Sequence, residues 1–144
     1  MLWSDVLIHF ALVIILTWMG IQDRRTREVS NVLTIPMLAG GVVVMIIQLI
    51  ARDHLAVVGS ILIIAVLTFA ALRGWMGGAD WKVLVGLFGL WPLAGFVSLA
   101  GAGLFGAGAI LWTRDRHVSF PAIYVFAVAS LLTFSAEVSI IAFS

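Results

Sequence analysis

Two aspartates stand where polar stretches meet long apolar runs: Asp23 in "GIQDRRTREVSN" and Asp80 in "RGWMGGADWKVL". The chain has 7 carboxylates, 3 histidines and no cysteine. Acid–base chemistry on Asp and Glu is therefore available, while thiolate nucleophiles, disulfides and cysteine-bound zinc are excluded. Two aspartates sharing a site cannot both ionise easily, so one keeps its proton near neutral pH. Such a pair can activate a water with one carboxylate and protonate a departing amine with the other. Gly77 and Gly78 suit that use, because glycine lets the backbone turn sharply and approach a substrate strand closely. The competing reading makes both residues ordinary interfacial charges, Asp23 neutralised by Arg24 and Asp80 by Lys82. Spacing alone leaves both readings open.

The elements that must carry these residues follow from composition. The 144 residues are 63% hydrophobic and 10% charged, with a mean hydropathy of +1.20. A soluble domain of this length needs more charge on its outer surface. Apolar runs of about 18 residues or more recur, as bilayer-spanning helices require, and no segment alternates in polarity as a barrel strand does. The fold class expected is all-α, a polytopic transmembrane helical bundle forming a single domain over residues 1–144. The first span runs from about Leu2 to Ile21, the second from Val32 to Ala51, the third from Leu55 to Leu72 and the last from Phe120 to Phe143. Asp5 and the lack of a basic leading segment make the first a retained helix rather than a removed signal.

The stretch from Trp81 to Trp112 is 32 residues. As one helix it would be about 48 Å long, well beyond a hydrocarbon core of about 30 Å. Pro92 in "LWPLAG" supplies a break, dividing it into spans at about Trp81–Trp91 and Leu93–Trp112. Six spans put Arg24, Arg25, Arg27, Arg73, Lys82, Arg114 and Arg116 on one face and only Arg52, beside Asp53, on the other. That asymmetry places the first, third and fifth loops in the cytoplasm and both termini outside. Asp23 and Asp80, 57 residues apart, then lie at the same cytoplasmic depth. In the fifth span Ala102 with Gly106, and Gly103 with Ala107, have the spacing of a close-packing helix face.

"GGADWKVLVGLFGLW" resembles the GxGD stretch of the bacterial prepilin peptidases, or type IV leader peptidases, whose aspartate is followed by a hydrophobic residue and lysine. "IQDRRTREVSNVLT" is similar to their first motif, an aspartate, a basic loop and then Ile-Pro-Asn. "RHVSFPAIYVFAVASLL" is similar to their proline-led final helix. The resemblance implies a membrane-embedded aspartyl protease with Asp23 and Asp80 catalytic and Gly77, Gly78, Ala79 and Lys82 supporting the motif. It implies cleavage of basic leaders from prepilin or pseudopilin substrates at the cytoplasmic face of the bacterial inner membrane. The compact chain is closest to the Flp/Tad-type branch, sometimes called TadV or CpaA. With no cysteine and no soluble insertion, neither an S-adenosylmethionine site nor a methyltransferase activity is expected. Ala79 stands for the second glycine of GxGD, which would be awkward at a positive φ. "VSN" stands for Ile-Pro-Asn but keeps Asn31.

The remaining polar residues read as structural. Glu28, in the same loop as Asp23, could substitute as a partner, but its arginine-rich setting favours a solvated charge, and Asp115 is neutralised between Arg114 and Arg116. Asp5 and His9 have the spacing of a local helix pair, and Lys82 is either a tuner of Asp80 or a snorkelling anchor. Glu137 is the acid well inside an apolar run, toward the outer end of its span. His54 and His117 lack a second ligand at metal spacing, so no metal or cofactor is expected. No basic run is long enough for nucleic acid, and the tryptophans lie mostly near span ends, as an aromatic belt does. The rival function is a catalytically silent membrane component of a pilus or secretion machine.

Overall fold

The computed structural model describes residues 3–50, 54–114 and 120–143. Among the described residues, six helices follow in order: α1 (Trp3–Thr26), α2 (Asn31–Ile50), α3 (His54–Leu72), α4 (Gly78–Leu90), α5 (Pro92–Thr113) and α6 (Ala122–Phe143). The described residues contain no strand, so the all-α expectation holds. Among the described residues, four stretches are long and apolar enough to cross a membrane: Asp5–Thr26, Asn31–Ile50, Pro92–Thr113 and Ala122–Phe143. The α3 stretch Val58–Leu72 is apolar but shorter. With 13 residues, α4 is about 20 Å long, short of a hydrocarbon core.

The helix ends have local causes. Ser30 caps α2, its Oγ accepting the Val32 N–H at 3.2 Å. Gly74, at φ +72, closes α3: its N–H donates to Ala71 O at 3.0 Å and the Trp75 N–H to Ala70 O at 2.9 Å. This paired closure needs a left-handed residue, which glycine adopts without a Cβ clash. Pro92 opens α5 at the position where a missing N–H costs nothing, so the expected division at "LWPLAG" is observed. Two boundaries differ from expectation. Helix α1 runs past Ile21 to Thr26, taking Asp23 into the helix, because Arg24 and Arg25 in its last turn complement the negative helix end. Helix α4 starts at Gly78 rather than Trp81, with Asp80 in its first turn, where a carboxylate is favoured for the converse reason.

The chain divides into two compact units, Met1–Val29 with Phe96–Ser144, and Ser30–Gly95. In the first, α1 packs on α6 with Gly20 at the crossing. A Cβ on Gly20 would stand 3.0 Å from Tyr124 Cα and 3.1 Å from Ala127 Cβ. In the second, α4 packs on α2 and α3, and its residues Val83–Gly89 are all buried. There the α2 and α4 backbones nearly touch. A Cβ on Gly41 would meet Gly86 O at 2.6 Å, and one on Gly86 would meet Met37 O at 2.7 Å. A Cβ on Gly89 would run into Gly41 O.

In lipid, where apolar surface gains nothing by leaving its solvent, such close backbone contact is a main source of helix association. The small-residue stripe on α5 is closely packed at one of its two glycines. Gly103 has open space where its Cβ would be, and Gly106 instead leaves room for the Phe120 ring. The spacing alone did not reveal that the glycines facing one another are on α2 and α4. Outward-facing Trp18, Leu72, Leu104 and Trp112 are all strongly exposed, as suits a surface facing acyl chains rather than water.

Candidate active site

Asp23 is only 8% exposed, and its Oδ2 accepts the Ile123 backbone N–H at 3.1 Å. Ile123 is in the first turn of α6, where N–H groups lack intrahelical partners. Pro121, just before that helix, has no side-chain oxygen to cap them. The carboxylate of Asp23 therefore serves from α1 as a cap for α6, and the close crossing at Gly20 brings it within reach. The guanidinium of the neighbouring Arg24 lies over the Tyr124 ring, 5.2 Å from the centroid. Glu28 is exposed in the turn after α1, where the Thr26 hydroxyl donates to Glu28 O at 2.9 Å.

Asp80 belongs to the second unit. Gly77 precedes α4 in an extended conformation, φ −66 and ψ 146, with no side-chain cap. The Asp80 carboxylate folds back over it, since a side chain in the first turn tilts toward the helix N-terminus. A Cβ on Gly77 would stand 2.9 Å from Asp80 Oδ2. The first glycine of the motif thus leaves room for the carboxylate; its φ is one any residue adopts. Gly78 has open space around it. Ala79 lies in the first turn of α4, and the described non-glycine residues at positive φ are Arg27 and Arg114, so the alanine is unstrained.

Lys82 Nζ donates to Asn31 Oδ1 at 2.7 Å, joining the start of α4 to the start of α2. Trp81 Nε1 donates to Thr68 Oγ1 at 3.0 Å, joining α4 to α3. Neither contact was legible from the motifs, although Asn31 is the one residue of the Ile-Pro-Asn pattern that the sequence keeps. At the other end of α1, His9 Nδ1 stands 2.9 Å from Glu137 Oε2 on α6. Glu137 is thus a bonded side chain between two helices, in line with a structural role. Arg52, Asp53, Asp115, Arg116 and His117 lie outside the described residues, as does the His54 side chain.

No curated protein and no solved structure matches the chain. The family model described as the type IV leader peptidase family matches residues 10–138, which include both aspartates and each of the three motif stretches. The match bears out the resemblance at the level of the family, whose general activity is that of prepilin leader peptidases. A nearly chain-long match, on an all-helical scaffold with apolar spans, means that this chain belongs to the type IV leader peptidase family.

Proposed function

We propose that the protein is an aspartyl endopeptidase of the cytoplasmic membrane in which Asp23 and Asp80 act together. One carboxylate, ionised, takes a proton from water as the water oxygen attacks the scissile carbonyl. The other, protonated, hydrogen-bonds the carbonyl oxygen and then gives its proton to the amine as the C–N bond breaks. The products are a free leader carboxylate and a new pilin N-terminus. The observation that carries this reading is that the family match contains both motif aspartates, each near the end of an apolar helix.

The proposed substrate is a single-pass prepilin or pseudopilin entering from the bilayer, with its scissile bond at the cytoplasmic face. The basic residues of loops one, three and five support that side. The reading includes six spans in one domain, the Flp/Tad-type branch, and peptidase activity without methyl transfer. The test is the purified protein in lipid vesicles with a prepilin substrate. Mass spectrometry of the product should show one cleavage and an unmethylated new N-terminus. An intact precursor under these conditions favours the silent assembly component.

A further inference from the structure

We infer that Asn31 is a positioning residue for the reaction, acting through Lys82 on the direction of Asp80. The inference rests on the peptidase reading above. Successive residues of a helix are turned by about 100°, so Asp80 and Lys82 project about 200° apart around α4. Holding the Lys82 ammonium against α2 therefore directs Asp80 to the side of α4 away from α2. The Lys82 Nζ to Asn31 Oδ1 bond, at 2.7 Å, is the hold. It is a charge-assisted bond of short length, and it spans two motif segments 51 residues apart in sequence.

The acceptor stands at the start of a helix. Asn31 is the first residue of α2, directly after the capping Ser30, and Thr34 Oγ1 lies 3.5 Å from the same Oδ1. Deeper in the pair, the contact of Gly41 with Gly86 and Gly89 sets the distance between the two helices. Gly86 and Gly89 lie on the same face of α4 as Lys82, so that backbone contact already turns this face toward α2. The Lys82–Asn31 bond carries the same setting into the first turn, beyond the reach of the glycine contact. A cation near a helix N-terminus is disfavoured by the helix dipole, so without its acceptor the ammonium has no reason to stay against α2. It also means that Lys82 acts as a strut between helices rather than as the neutralising partner of Asp80.

The experiment is a double-mutant cycle on the full chain in lipid vesicles with a prepilin substrate, using Asn31→Ala, Lys82→Met, the pair together, and Asn31→Asp. Misplacement of a reacting group by about 1 Å can cost on the order of a hundredfold in rate. Each single variant should lower kcat about tenfold or more while leaving KM close to that of the wild type. The pair should be no worse than the poorer single variant, because removing either partner already releases the bond. Asn31→Asp keeps an oxygen acceptor of the same reach and should recover most of kcat.

Wild-type kcat in Asn31→Ala, or losses that multiply in the pair, overturns the inference. The same cycle read as thermal midpoints in an Asp80→Asn background needs no cleavage. Coupled shifts there support the bond, and additive shifts overturn it. If instead Asp80→Asn cleaves like the wild type, the two-aspartate reading fails while the thermal cycle still decides the bond.

Discussion

The Asp80 carboxylate occupies the space that a side chain on Gly77 would need, 2.9 Å from where a Cβ would stand. The obstructing atom is the end of a flexible side chain, so substitution there should turn the carboxylate aside rather than unfold the protein. Gly77→Ala should accumulate normally in membranes and lose prepilin processing by about tenfold or more. Gly78→Ala, with open space around it, should process nearly as well as the wild type. Equal activity in the two variants would show that the room over Gly77 is not used.

Asp23 has a structural duty as well as the proposed chemical one, and the two can be separated. Asn in its place keeps an oxygen to accept the Ile123 N–H, whereas Ala leaves the α6 end uncapped. Asp23→Ala should therefore be less stable than Asp23→Asn by about 0.5–2 kcal/mol, the usual worth of a helix cap, with both inactive. Thermal midpoints of the two purified variants measure the difference. Identical midpoints would mean that the bond to α6 contributes nothing.

The contact between α2 and α4 should be intolerant of even one methyl group. Gly86→Ala meets Met37 O at 2.7 Å, a backbone atom that cannot swing away. It should destabilise the protein by about 1–3 kcal/mol, as overpacking does. Gly103→Ala on α5, facing open space, should be neutral. Abundance and thermal midpoint of the two variants provide the comparison, and a stable Gly86→Ala would refute the close approach.

Local patterns made some of this molecule legible and left other parts hidden, for physical reasons. The helix division at Pro92 and the helical class followed from a missing N–H and from apolar run length, both properties of neighbouring residues. The two motif aspartates stood out through the residues around them, "GGADWK" and "IQDRRTREVSN", since a carboxylate at the end of an apolar run is by itself an ordinary interfacial charge. The pairings His9–Glu137, Lys82–Asn31 and Asp23–Ile123 join residues 128, 51 and 100 positions apart. Helix packing decides them, and no periodicity reports it. For the same reason the small-residue spacing of α5 could not say what each glycine meets: a close crossing needs matching gaps on both helices, as Gly41 and Gly86 provide.

The side of the membrane on which the proposed site works is testable by labelling. Glu28→Cys and Trp75→Cys, in the loops after α1 and α3, should resist an impermeant thiol reagent in intact cells and react once the membrane is opened. Arg52→Cys should react from outside without opening. Labelling of position 28 in intact cells would reverse the orientation and move the scissile bond to the other face.

The most direct measurement is prepilin processing by Asp23→Asn, Asp80→Asn and the double variant, with the abundance of each checked in the same membranes. Each single change keeps size and hydrogen-bonding capacity but cannot exchange the proton that the mechanism requires. Processing should fall by about 10²-fold or more in each single variant, the usual worth of acid–base catalysis. The double variant should be scarcely worse, as groups acting as one unit are strongly non-additive. Glu28→Gln, outside the proposed pair, should process normally. If Asp23→Asn and Asp80→Asn accumulate like the wild type and still convert the precursor, the two-aspartate mechanism is contradicted.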